Sequence, residues 1–163
     1  MNLKNLKAND LLVMPRWGVG KCKGWQTLDF CGFKEEVISI YFYSKNLTTH
    51  FPKGKIDSVK ARTLASLTEI EKCFEILKSQ KSKLRQNWIA TVKSYNQKLN
   101  SGELQKLAEV IRDAHSSSNG QLHKNQSKVE IYNAAIDLLA YELMFVQNIS
   151  YEQAKDKIKS SRQ

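Results

Sequence analysis

Apolar positions along the chain change their period once, near residues 60–66, and the change divides it. Before that point Leu11 to Met14, Val19 to Trp25, Val37 to Tyr43 and Leu47 to Phe51 are short runs rich in β-branched, aromatic and aliphatic residues. Gly18, Gly20, Gly24, Gly32, Gly54, Pro15 and Pro52 punctuate them. The pattern predicts four or five short strands in a small, strongly bent antiparallel barrel or sheet. Lys45-Asn46 suits a turn ahead of the last run. After residue 65 there is no proline, and apolar residues recur at helical spacing. Ser66-Leu67-Thr68-Glu69 has the form of a capping box and predicts a first helix over about 67–79, with Ile70, Phe74 and Leu77 on its stripe. Asn87 is a natural cap for a second helix with Trp88, Val92, Tyr95 and Leu99 on one face, ended by Asn100-Ser101-Gly102. Leu104, Leu107, Ala108 and Ile111 form a third stripe, followed by a loop at Ser116 to Gly120. Ser127-Lys128-Val129-Glu130 predicts the capping box of a long fourth helix, and Ser150-Tyr151-Glu152-Gln153 that of a short fifth. The fold class is therefore α+β, with a β-rich domain over 1–64 and an all-helical domain of about five helices over 65–163.

Composition is that of an ordinary folded chain: 163 residues, 41% hydrophobic and 26% charged. Charge changes the picture. The net +10 splits into +6 over residues 1–65 and +4 over 66–163. From Ile76 to Gly102 the chain holds Lys78, Lys81, Lys83, Arg85, Lys93 and Lys98 and no acid, with Trp88 among them. Uncompensated cations attract a polyanion through counterion release, and a flat apolar ring among them can stack on bases or wedge between them.

Candidate chemistry is otherwise thin. Cys22, Cys31 and Cys73 are odd in number and widely spaced, which fits reduced thiols rather than disulfides or a zinc site. The N-terminal MNLKNLKAND has no apolar segment behind its cations, so no secretory signal is expected, and Ile136 to Val146 is too short to cross a bilayer. A cytoplasmic setting follows, with no membrane contact. His50, His115 and His123 lack metal-ligand spacing, there is no G-x-S-x-G or phosphate loop, and Glu35 and Glu36 point to opposite faces of a strand. No catalytic residue, metal or cofactor is expected, and an enzyme is disfavoured.

Asn9-Asp10-Leu11-Leu12-Val13-Met14-Pro15-Arg16-Trp17-Gly18-Val19-Gly20 resembles the opening motif of the CarD family of bacterial RNA-polymerase-binding transcription regulators. Gly32 ahead of Glu36 to Ile40, and Leu47 to Pro52, follow at the family's spacing. Further on, Asn87-Trp88, Lys98-Leu99, Ser101-Gly102, Ala108 to Asp113, Ser127 to Glu130 and Ala140 to Leu143 resemble its helical segments, so the likeness runs from about residue 6 to about residue 145.

The resemblance implies a Tudor-like β domain that docks on the RNA polymerase β subunit through its sheet edge, with Leu28, Thr49, His50, Phe51 and Pro52 as candidate contacts. It also implies a monomeric factor whose helical domain touches promoter DNA at the upstream fork of the melted bubble. There Trp88, beside Asn87, matches the family's minor-groove wedge, and Lys81, Lys83, Arg85, Lys93 and Lys98 would hold phosphates without reading sequence. By its spacing alone Trp88 reads as core, and Arg112-Asp113 as a surface ion pair or inter-helix buttress. The chain departs from the family at Ile89-Ala90-Thr91, where basic residues are common, and at Leu28 and His50, where arginines are. The alternatives are a basic RNA- or ribosome-associated module, and a peptide-binding adaptor with Trp17, Trp25, Phe42 and Tyr43 as an aromatic cage.

Overall fold

Alternation before residue 60 resolves, in the computed structural model, into four strands: β1 (Leu11–Met14), β2 (Gly18–Phe30), β3 (Phe33–Phe42) and β4 (Leu47–Pro52). The structure describes residues 3–80, 87–115 and 126–161, with Asp57 and Trp88 described by their backbone alone. The strands form one antiparallel sheet in the order β1-β2-β3-β4. Ile38, Ile40 and Phe42 alternate onto its inner face and are fully buried, with Leu12, Cys22 and Ile56 beside them. The outer edge of β1 is covered where Val13 and Arg62 exchange backbone hydrogen bonds of 2.8 and 2.9 Å. Among the described residues β4 pairs with β3 only, so the sheet curls without closing into a barrel.

Two strands run further than their apolar runs. Pairing of β2 with β3 continues to Phe30 opposite Phe33, past the expected limits at Trp25 and Val37. Cys31 and Gly32 take φ of 55° and 92°, the left-handed pair of a two-residue hairpin whose twist matches that of its strands. Asp29 Oδ1 accepts the Gly32 N–H at 2.7 Å and fixes the turn. Nearly every residue of this arm is exposed, so neither face carries the apolar alternation that would have announced strands. At the other end Gly20 is forced by space. A Cβ there would stand 2.7 Å from Ile40 Cγ2 and 2.8 Å from the Phe42 ring.

The helices are α1 (Leu67–Lys78), α2 (Trp88–Ser101), α3 (Leu104–His115), α4 (Gln126–Gln147) and α5 (Tyr151–Ser160). Ser66 and Ser150 each form a capping box, with Glu69 and with Gln153. The box expected at Ser127 does not form, because Ser127 already lies inside α4, beyond the position where a side chain can take a free first-turn amide. α3 packs on α1 and α4, and α4 on α5, around Ile70, Leu77, Ala108, Ile111, Ile136 and Leu143. Glu142, fully buried in α4, accepts the Ala65 N–H at 2.9 Å and so ties the entry of α1 to the bundle. The strands and helices fall into two compact units, Met1–Leu64 and Ala65–Gln163, each with its own apolar core.

Candidate functional site

α2 starts where it does because Asn87 is extended and its Oδ1 accepts the Ala90 N–H at 2.9 Å, while Thr91 Oγ1 donates to the Asn87 carbonyl at 3.0 Å. Trp88 is therefore the first helical residue. Its side chain, and all of Lys81, Lys83 and Arg85, lie outside the described residues. Further along the stripe that Trp88 heads, Tyr95 and Leu99 are buried and Val92 packs against them at the margin of the core. Ile89 stands 79% exposed next to Trp88, and the first turn holds no acid.

The basic window is less uniform in space than in sequence. Lys93 is exposed and pairs with no carboxylate among the described residues. Lys98 is different: its Nζ lies 2.8 Å from Glu109 Oε2, so α3 supplies the counter-charge that the local sequence lacks. The lysine that opens the family-like Lys98-Leu99 segment is thus partly neutralised within the fold.

Beneath this helix Arg112 and Asp113 form the buttress. Asp113 accepts Arg112 Nε at 2.8 Å and Nη2 at 3.2 Å, and Arg112 Nη1 donates to Ser79 Oγ at the C-cap of α1 at 2.9 Å. The Asp113 bond holds the guanidinium's proton more tightly than usual. Burial, helped by the Asp113 charge, pushes the Tyr95 hydroxyl up to about 12 from its ordinary 10. A folded-state value above the unfolded one means stability that is full below pH 10 and is lost as pH rises from 10 through 12. The helical unit is therefore expected to lose on the order of 2 kcal/mol across that window, with Tyr95→Phe flattening the loss in urea melts. An equal loss in the variant would show that Tyr95 is not its source.

Strand alternation splits the candidate contacts of the β unit. Leu28 faces Glu35, His50 faces Ser39 and Pro52 faces Val37, which puts Leu28, His50 and Pro52 on the outer face. Thr49 and Phe51, opposite Ile40 and Ile38, turn inward, and Phe51 packs on the core. His50 Nδ1 lies 2.8 Å from Ser39 Oγ, which in turn accepts Gln26 Nε2 at 2.7 Å, so the imidazole is held across three strands. The hairpin tip adds what the apolar runs missed. Phe30 and Phe33, paired on its last rung, are 50% and 80% exposed. The signal was there as two phenylalanines set symmetrically about a turn ending in glycine.

Among the described residues no aromatic cage forms. Phe42 is fully buried, and Trp17 and Trp25 pack on the same core, Trp17 against Phe42 at 5.1 Å between ring centres. His115 packs on Tyr132 at 5.9 Å, and His123 lies outside the described residues. No cluster of potential metal ligands exists among the described residues, and no described helix is long and apolar enough to cross a membrane.

Comparison with known proteins draws these parts together. A relative in Bacillus subtilis (strain 168), named "Putative transcription factor YdeB", is 25% identical over 149 residues, which is 91% of this chain and 97% of that protein. The family model described as "CarD, C-terminal domain" matches residues 72–159, from the second turn of α1 to the last turn of α5. That span is 88 of the 163 residues and includes the Asn87 cap, the Arg112–Asp113 buttress and the buried Glu142. The chain belongs to the CarD family.

Proposed function

We propose that this CarD-family chain regulates transcription by binding the RNA polymerase β subunit through its β unit and slowing collapse of the melted promoter through Trp88. That it is a transcription regulator goes with its family and with the name of its relative. The family match across the helical unit, with α2 opening at Asn87-Trp88, is the observation that carries the finer reading. An apolar ring at the upstream fork opposes re-stacking, and cations on either side hold phosphates irrespective of sequence. The acid-free first turn of α2 puts the positive end of the helix beside Trp88, and Lys93 adds a charge that meets no carboxylate among the described residues. On the β unit, the free edge of β4 and the outward residues Leu28, His50 and Pro52 offer the polymerase face, with Phe30 and Phe33 beyond Leu28 as apolar anchors.

The decisive experiment measures the lifetime of the polymerase–promoter open complex with and without the full chain. The wild type is expected to lengthen it. Trp88→Ala is expected to abolish most of that effect while co-purification with polymerase and the thermal melt stay unchanged. A lifetime equal in wild type and variant, with both proteins folded and polymerase-bound, removes Trp88 from the mechanism.

A further inference from the structure

One end of the β unit, next to the β4 residues that the proposed function assigns to polymerase, carries a patch with its own chemistry. Lys21, Tyr41 and Thr48 form a single rung across β2, β3 and β4. Just beyond it the ladder slips between Cys22 and Gly24, and the bulged Lys23 sets its Nζ 5.5 Å over the Tyr41 ring. Tyr43 meets Tyr41 edge-on at 5.1 Å, and Asn46, in the left-handed region at φ 48°, accepts the Tyr41 hydroxyl at 2.6 Å. Lys45, exposed, sits in the same turn. Two tyrosine rings with fixed orientation thus share one end of the sheet with three lysines.

No carboxylate pairs with Lys21, Lys23 or Lys45 among the described residues. Asp29 and Glu35 lie toward the opposite end of the hairpin, six residues along the strand from Lys23 and Tyr41, about 20 Å away at roughly 3.3 Å per residue. Glu36 is paired with Lys53, and Asp10, whose backbone carbonyl accepts the Cys22 N–H, turns its carboxylate onto the Lys7 N–H at 2.8 Å. Lysines alone would take any polyanion. Oriented tyrosines narrow the choice, because a ring can stack on a base only where that base is not already stacked in a duplex.

We propose that this end of the β unit binds a segment of single-stranded DNA, with Tyr41 and Tyr43 as the base platform and Lys21, Lys23 and Lys45 on its phosphates. The Tyr41 hydroxyl proton is spent on Asn46 and is not offered to a 2′-oxygen, so the rings and lysines read base faces and phosphates, which DNA supplies in full. The melted promoter of the proposed function supplies such a strand, and on that point alone the inference rests on it. An acidic protein face would use the lysines and ignore the rings.

The test is fluorescence anisotropy of the full chain with a labelled single-stranded DNA, the matching RNA and the DNA duplex at several salt concentrations. Tyr41→Ala is expected to weaken single-strand binding about five-fold or more and to leave duplex binding alone. Tyr41→Phe, which keeps the ring, should stay near wild type, and Lys23→Ala should lower the salt slope by about one. Photocrosslinking a bromouracil-bearing strand to the wild type, which requires no variant to fold, should label Tyr41 or Tyr43. Crosslinks only elsewhere, tighter binding of RNA, or equal affinity in Tyr41→Ala would each overturn the proposal. Strand binding that survives a negative open-complex assay would leave this surface standing and sink the proposed function; the reverse pair of results would do the opposite.

Discussion

Asp113→Ala is expected to cost the helical unit about 3–5 kcal/mol, the usual penalty for stranding one partner of a buried ion pair. Asp113 is 4% exposed, and its two oxygens take two nitrogens of Arg112. The third guanidinium nitrogen spans to Ser79 at the end of α1. Alanine would leave a largely buried cation with one hydroxyl as its hydrogen-bond partner and only the Glu109 charge nearby. It would also free α3 from the last turn of α1, because the fork of Arg112 is aimed at Ser79 by its grip on Asp113. Urea unfolding followed by circular dichroism reads the loss. Arg112→Met combined with Asp113→Leu, which removes both charges and fills the space, should recover much of it. A loss below about 1 kcal/mol in the single variant would mean that water or a neighbouring group takes over the carboxylate's role, and the buttress would have to be abandoned.

Gly20→Val should be nearly as damaging, and to the other unit. Even one methyl at Gly20 would overlap Ile40 Cγ2 at 2.7 Å and the Phe42 ring at 2.8 Å, and both neighbours are wholly buried inner-face residues with no room to withdraw. Overpacking of this kind costs about 1–3 kcal/mol, and valine's two further carbons place the expected loss at the upper end. Tryptophan emission from Trp17, which packs on Phe42, and from Trp25 would report early unfolding of the β unit, while the helical signal at 222 nm stays near wild type. A melt indistinguishable from wild type would contradict the close approach of β2 to β3. Gly20→Ala is the milder companion and should fall between the two.

Local rules made the helices legible. Ser66, Asn87 and Ser150 each cap the helix that their spacing foretold, because capping is decided within four residues. Ser127 shows the limit of that reasoning, since a matching tetrapeptide does not cap a helix that has already begun. Gly20 reads in sequence as a place for bending, yet its reason is a contact with residues some twenty positions away. Tertiary information was also missing at Lys98, whose partner Glu109 belongs to the next helix. The hairpin arm was hidden for a different reason. A ribbon bathed in solvent on both sides has no periodicity to reveal it, and only its turn gives it away. Of the candidate DNA contacts, Trp88 stood out by its place in the acid-free basic window, yet its helical spacing favoured a core tryptophan, and only the family likeness turned Asn87-Trp88 into a wedge.

The Cys31-Gly32 turn has a practical consequence. Cys22 and Cys73 are buried, and burial pushes the Cys22 thiol above its ordinary range, whereas Cys31 is exposed at the apex of the arm. A maleimide dye added to the unmodified protein will thus report from one place, between Phe30 and Phe33, with no cysteine to engineer in or out. Its emission is a ready gauge of whether the arm meets a partner or stays in water.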